Sequence, residues 1–309
     1  KFTFRARQRI RYRLVFISMK LFLLIPLLAL SLLIVITSTF LLKTRSVAPT
    51  KSNVFTSGVT IEYDIAYGAH PKQKLDLCKP KSITGKVPAV MLIHGGRGDK
   101  NSFISICKSL AEKGFVGAAV NFREDPPPSY KVILADNRAA LSWLRAKDYV
   151  DPNKIGSWGG SLGGYASSML GTLEDPDKVQ CVSNNYGPTD FTDPSEWESS
   201  PLAEEFTDKF FGGVVYDKNL QLYRDLSPIT HVSANDAKKW LFTRSTNDRL
   251  VPGTQMTKMI EALKAVGLQT EFYEYKGEGG GHANQLGFFQ ANKLLQKRLN
   301  FMIECLNGL

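Results

Sequence analysis

Short apolar runs recur along most of this chain, separated by longer stretches in which apolar residues return every three or four positions. The runs Thr60–Ala66, Leu75–Lys79, Ala89–Ile93, Gly117–Asn121, Lys154–Trp158, Val179–Asn184, Lys239–Thr243 and Thr270–Tyr275 predict strands. The stretches Ser102–Lys113, Val132–Ala146, Leu162–Leu170, Gly253–Ala265 and Asn284–Glu304 predict helices. Alternation of this kind implies an α/β fold: a mostly parallel, eight-stranded sheet with helices on both faces. Pro126-Pro127-Pro128 reads as a rigid turn ahead of the Val132 helix. One interval departs from alternation. About 54 residues separate Asn184 from Lys239, far more than an ordinary connection, and they carry Trp197, Phe206, Phe210, Phe211, Tyr216 and Tyr223. The expectation is a small cap, its aromatics either walling a site or anchoring the insertion to the core.

The N-terminal pattern is of a different kind. Leu21–Leu42 is 22 residues without a charge, rich in Leu and Ile. At 1.5 Å per residue a helix of that length crosses a hydrocarbon core of about 30 Å. Pro26 kinks such a helix or sits near its entry without forbidding insertion. The competing reading is a cleaved signal. Its best site, Ser46-Val47-Ala48, is followed by Pro49, which hinders cleavage, so an uncleaved anchor is the favoured reading. The chain opens on Lys1, and Met19-Lys20-Leu21 would be a natural start for such a segment. The organisation expected is a basic segment over 1–20, a transmembrane anchor or signal over 21–42, a linker over 43–54 and one α/β domain over 55–309. That domain is then membrane-anchored and exported, or secreted if the segment is cut away.

Charge adds little beyond this. The net charge is +10, but residues 1–52 hold ten Lys/Arg and no Asp or Glu, leaving 29 basic and 29 acidic residues in the rest. The domain is balanced, which argues against a nucleic-acid partner. The cysteines Cys78, Cys107, Cys181 and Cys305 form no CxxC pair, which argues against a zinc site. In an oxidising compartment one or two disulfides are open to them, with the pairing not legible. Cys181, in an apolar run, is expected to behave as a buried hydrophobe.

The chemistry gathers at loops after the predicted strands. Gly159-Gly160-Ser161-Leu162-Gly163 satisfies G-x-S-x-G, a strand-to-helix turn that lifts a serine hydroxyl off the sheet edge. An alkyl hydroxyl attacks at neutral pH only if a base removes its proton, and histidine suits that task. Of the four histidines, His70, His94, His231 and His282, only His282 follows a late strand, in Gly277-Glu278-Gly279-Gly280-Gly281-His282. Asp248, just past Lys239–Thr243, is the candidate carboxylate to orient it. A loop aspartate also serves as a cap, and Asp190, in Gly187-Pro188-Thr189-Asp190, is the rival acid. Met91-Leu92-Ile93-His94-Gly95-Gly96-Arg97-Gly98 resembles an HGGG-type oxyanion loop. The donors expected for the oxyanion are the backbone N–H of Leu162 and that of Gly96 or Arg97, with His94 bracing the loop.

Ser161…Asp248…His282 follows the chain order of the α/β-hydrolases, and the chain resembles their esterase/lipase group, which includes acetyl-ester and feruloyl-ester hydrolases of plant polysaccharides. Asp136–Arg145, Asn185–Phe191 and Ser227–Ser233 carry the likeness further, and it spans roughly Thr56 to the C-terminus. It implies a serine carboxylic-ester hydrolase acting on a small-molecule or carbohydrate ester, with Ser161, Asp248 and His282 as triad and no cofactor. Two departures reshape the pocket: Thr243-Arg244-Ser245-Thr246-Asn247-Asp248 stands where the group has His-Gly-x-x-Asp, and Arg97 replaces a glycine. Arg97 is expected to restrict long acyl chains and to pair with a carboxylate or polar sugar group. A prolyl-oligopeptidase-type peptidase shares this domain but usually adds a large β-propeller. A non-catalytic binding protein of this fold typically lacks a triad member.

Overall fold

The computed structural model describes residues 54–56, 58–124, 129–174, 178–201, 213–214, 216–277, 281–282 and 288–309. The expected Leu21–Leu42 span, the triple proline and Phe206, Phe210 and Phe211 lie outside the described residues. No helix among the described residues is long and apolar enough to cross a membrane.

The eight expected strands all form: β2 (Val59–Ala66), β3 (Lys74–Pro80), β4 (Val87–Ile93), β5 (Val116–Val120), β6 (Val150–Gly160), β7 (Cys181–Asn185), β8 (Lys239–Ser245) and β9 (Gln269–Tyr275). A ninth, β1 (Val54–Thr56), is added at the edge, where three residues pair antiparallel with β2. The sheet runs β1-β2-β3-β5-β4-β6-β7-β8-β9. β1, β2, β3 and β5 pair antiparallel, and every pair from β5 across to β9 is parallel. The central strands are buried on both faces, as their unbroken apolar runs require.

The main helices are α1 (Ile104–Glu112), α2 (Tyr130–Arg145), α3 (Leu162–Thr172), α4 (Leu220–Asp225), α5 (Gly253–Ala265) and α6 (Phe288–Asn307). They divide the core in two. Side chains of α2, α3 and α5 pack on one face of the sheet with Leu75, Met91, Val182 and Phe242. Those of α1 and α6 pack on the other face with Val90, Leu92, Trp158 and Leu241.

The second face also carries two disulfides, Cys78–Cys107 between β3 and α1 and Cys181–Cys305 between β7 and α6. Cys181 is therefore not the simple buried hydrophobe expected of it. It is fully buried, but its sulfur is bonded to Cys305, 124 residues on. In the chain-entropy view, closing loops of 29 and 124 residues stabilises the fold by about 3.5 and about 5 kcal/mol.

The edge strand β9 is held by charge. Glu274 pairs with Arg244 at 2.6 Å and Glu271 with Lys297 at 3.0 Å, which sets charged side chains along the edge of the sheet.

Candidate active site

Because β4 to β9 run parallel, their C-terminal ends share one edge of the sheet, and the loops leaving that edge converge. The oxyanion-type loop leaves β4, the Ser161 turn leaves β6, the Asp248 loop leaves β8 and the His282 loop leaves β9.

Ser161 stands between the last residue of β6 and the first of α3, with φ 54° and ψ −120°. A non-glycine residue there stores about 1–3 kcal/mol of backbone strain. The surroundings hold it. The Ser161 amide donates to the Asn185 carbonyl at 2.9 Å, and strand and helix pass so closely that a Cβ on Gly163 would lie 2.0 Å from the Ile93 carbonyl oxygen. The same contact brings the β4 loop against the turn.

His282 Nε2 lies 3.0 Å from Ser161 Oγ, and His282 Nδ1 lies 2.8 Å from Asp248 Oδ2. Asp248 does two jobs. Its Oδ1 accepts the amides of Leu250 (2.9 Å) and Val251 (3.2 Å), the turn-capping role a loop aspartate commonly plays, and this aims Oδ2 at the imidazole. Its side chain is only 4% exposed, so the carboxylate faces little competing water. Asp190, the rival acid, is engaged elsewhere. Its Oδ1 accepts the amide and hydroxyl of Thr192, and its own amide goes to Gln255 Oε1.

The unusual acid segment has a physical role. Ser245 Oγ accepts the Gly277 amide at 2.9 Å, and Asn247 Nδ2 donates to the Gly277 carbonyl at 2.9 Å. These side chains cross-link the Asp248 and His282 loops, where the related group uses a different segment. Gly281, at φ 74°, lies so close to Asn247 that a Cβ would come 2.6 Å from its carbonyl carbon.

In the β4 loop the Arg97 amide donates to Glu124 Oε2 at 2.8 Å. A Cβ on Gly96 would lie 3.8 Å from Leu162 Cδ2, which makes the two residues neighbours. Leu162 opens α3, whose first amides have no acceptor within the helix. His94 braces the loop as expected: it stacks on Phe122 at 4.3 Å, bonds the Gly95 carbonyl at 2.8 Å, and burial lowers its pKa, which keeps the ring neutral.

A cavity of about 450 Å³ opens beside Ser161 and His282. Its apolar wall is Phe103 and Ile106 from the start of α1, with Leu294 and Leu295 from α6. Trp197, Tyr216 and Tyr223 are not among its described lining residues. Trp197 donates to the Asp190 carbonyl and packs on Phe191, Tyr223 donates to the Val214 carbonyl, and Tyr216 bonds the Thr192 carbonyl. Among the described residues these aromatics anchor the insertion.

Two site residues were not singled out in the sequence. Tyr186, at φ 45°, sets its ring 4.9 Å from that of His282, and its amide bonds the Thr243 carbonyl at 2.8 Å. Arg298 lines the same cavity from α6. A sequence signal existed for the second. Arg298 falls on the inward stripe of α6 with Leu294, Leu295, Phe301, Met302 and Cys305, where a charge is out of place.

In fold the chain is an α/β-hydrolase, with its candidate site on the edge where that architecture gathers its loops. The family model BD-FAE matches residues 75–263, and the chain belongs to that family. It is 32% identical over 237 residues to the probable carboxylic ester hydrolase LipM of Mycobacterium tuberculosis, covering 68% of this chain and 53% of that protein. It is 28% identical over 250 residues to the probable isoprenylcysteine alpha-carbonyl methylesterase ICMEL1 of Arabidopsis thaliana, covering 71% and 50%. The chain thus spans about half the length of the curated relatives it matches. A structure of esterase B from Lactobacillus rhamnosis with a tributyrin phosphonate superposes with a TM-score of 0.65 at 19% identity, covering 90% of this chain and 96% of that one.

Proposed function

We propose that this chain is a serine carboxylic-ester hydrolase working through an acyl-enzyme. The observation that carries the reading is the unbroken relay from Ser161 Oγ through the His282 imidazole to Asp248 Oδ2, opening on a cavity. Ser161 Oγ attacks the ester carbonyl while His282 Nε2 takes its proton, and Asp248 stabilises the imidazolium. The carbonyl oxygen, now negative, is met by the Gly96 and Leu162 amides, each worth roughly 2.7–4 kcal/mol of barrier. Collapse expels the alcohol, which leaves with the proton from His282. Water then attacks the acyl-serine, His282 again taking and returning a proton, and the acid departs. None of these steps calls for a cofactor.

Among neutral esters the reading favours short acyl groups, on the ground that the insertion between Asn184 and Lys239 is short for a lipase lid and that Arg97 lines the cavity beside the serine. The full-length chain assayed on p-nitrophenyl esters is expected to show its highest kcat/KM between acetyl and butyryl, falling for octanoyl. An optimum at ten carbons or more overturns this, and turnover of a prolyl amide in preference to every ester overturns the esterase reading itself.

For location, we propose that the domain is exported and tethered by Leu21–Leu42. The length and apolarity of that segment support this, as do the Cys78–Cys107 and Cys181–Cys305 bonds, which belong to an oxidising compartment. Carbonate-resistant membrane fractionation with a protease-accessible domain is the matching observation; an N-terminus starting after Ala48 on the isolated protein contradicts the tether.

A further inference from the structure

β7 supplies no residue to the relay, yet the two residues at its end reach every arm of it. The Asn185 carbonyl accepts the Ser161 amide at 2.9 Å. The Tyr186 amide donates at 2.8 Å to the carbonyl of Thr243, on the strand that leads to Asp248. The Tyr186 ring stands 4.9 Å from the His282 imidazole, edge to face at 69°. Its phenol end lies over the residue before the nucleophile. The three atoms nearest to a Cβ on Gly160 would all belong to Tyr186, the hydroxyl oxygen at 2.6 Å.

Tyr186 takes up this place at φ 45°, a left-handed backbone that bulky residues rarely adopt. The surroundings force it. Asn184 Oδ1 accepts the Gly187 amide at 2.8 Å, and Gly187 is pressed against α3, where a Cβ would come 2.5 Å from the Tyr165 amide nitrogen. Glycine or asparagine would make this turn with less strain, so the backbone alone does not call for an aromatic residue. A strained residue held beside reacting groups points to function.

The need it meets lies in the imidazole. Contacts of Nδ1 with Asp248 Oδ2 (2.8 Å) and of Nε2 with Ser161 Oγ (3.0 Å) fix two points on the ring. They leave it free to tilt about the line between them, and a tilt turns the Nε2 lone pair away from the hydroxyl. An edge-to-face aromatic contact opposes that tilt. Burial raises the Tyr186 phenol pKa, so the side chain is neutral and adds no charge beside the histidine.

We infer that Tyr186 is a positioning residue for the relay: its ring holds the His282 imidazole in the plane that lets Nε2 take the Ser161 proton. This deepens the esterase reading and rests on it.

The test is turnover of p-nitrophenyl acetate by the full-length chain, with the rate of inactivation by diisopropyl fluorophosphate as a second readout. Tyr186→Leu removes the ring and is expected to lower kcat by about tenfold to a hundredfold, with KM changed by less than about threefold. Inactivation should slow by a similar factor, since it uses the same serine and base. Tyr186→Phe restores the ring and with it most of the activity lost in Tyr186→Leu. If Tyr186→Leu does not fold, as judged by its thermal transition, Tyr186→Asn removes the ring with a residue suited to the left-handed backbone, and the same loss is expected. A rise in KM with kcat unchanged would make Tyr186 only a wall of the cavity it lines, and overturns the inference. So does a Phe variant as slow as the Leu variant, or a folded variant without the ring that keeps full activity. Absence of all ester turnover by the wild type, with no fluorophosphonate adduct on Ser161, removes the esterase reading beneath it.

Discussion

Replacing Ser161 with alanine is expected to lower ester turnover by roughly six orders of magnitude, to the level of catalysis left by oxyanion and binding contacts alone. Ser161 alone presents a hydroxyl to His282 Nε2, at 3.0 Å, and no other hydroxyl side chain reaches that nitrogen among the described residues. Alanine keeps a Cβ at the strained position, so the turn and α3 are retained and the thermal transition should stay near that of the wild type. Covalent labelling by a fluorophosphonate, read by mass spectrometry, is expected to disappear with the hydroxyl. An adduct on another serine would show that the nucleophile lies elsewhere.

Asp248→Asn carries the second large effect, a loss of about four orders of magnitude in kcat. The carboxamide oxygen can still accept the Leu250 and Val251 amides, so the loop keeps its shape. The amide nitrogen then faces His282 Nδ1 and donates to it. That fixes the proton on Nε2, where it blocks acceptance from Ser161. The comparison variant is Asp190→Asn, expected to change kcat by less than threefold, since Asp190 Oδ1 serves only the Thr192 turn. A larger loss at Asp190 than at Asp248 would reassign the acid.

What the sequence disclosed, and what it withheld, follows the reach of each interaction. Buried parallel strands announce themselves as apolar runs, so β4 to β8 were legible, and a strained serine turn is legible because the tight packing around Gly163 demands small residues. β1 was not, since three residues are too few to show a period. The pairing of Cys181 with Cys305 spans 124 residues and leaves no local trace. The bond from the Arg97 amide to Glu124 was not legible, because its acceptor sits on another loop 27 residues away. Among the described residues the apolar wall of the cavity comes from Phe103, Ile106, Leu294 and Leu295, and the apolar stripes of α1 and α6 look the same in the sequence whether they face a core or a cavity.

The two sulfur bridges fall on those same two helices: one ties α1 to β3, the other α6 to β7. The residues proposed to make and break the acyl bond are on loops from β4, β6, β8 and β9, none of which the bridges touch. The molecule is therefore divided into a working edge and a stapled mould. Side chains on the mould can be exchanged, enlarging or recharging the chamber, against a reserve of stability that does not draw on the strained serine turn. Such a scaffold lets the choice of ester drift over evolution, or be redrawn in the laboratory, while the hydrolytic step stays as it is.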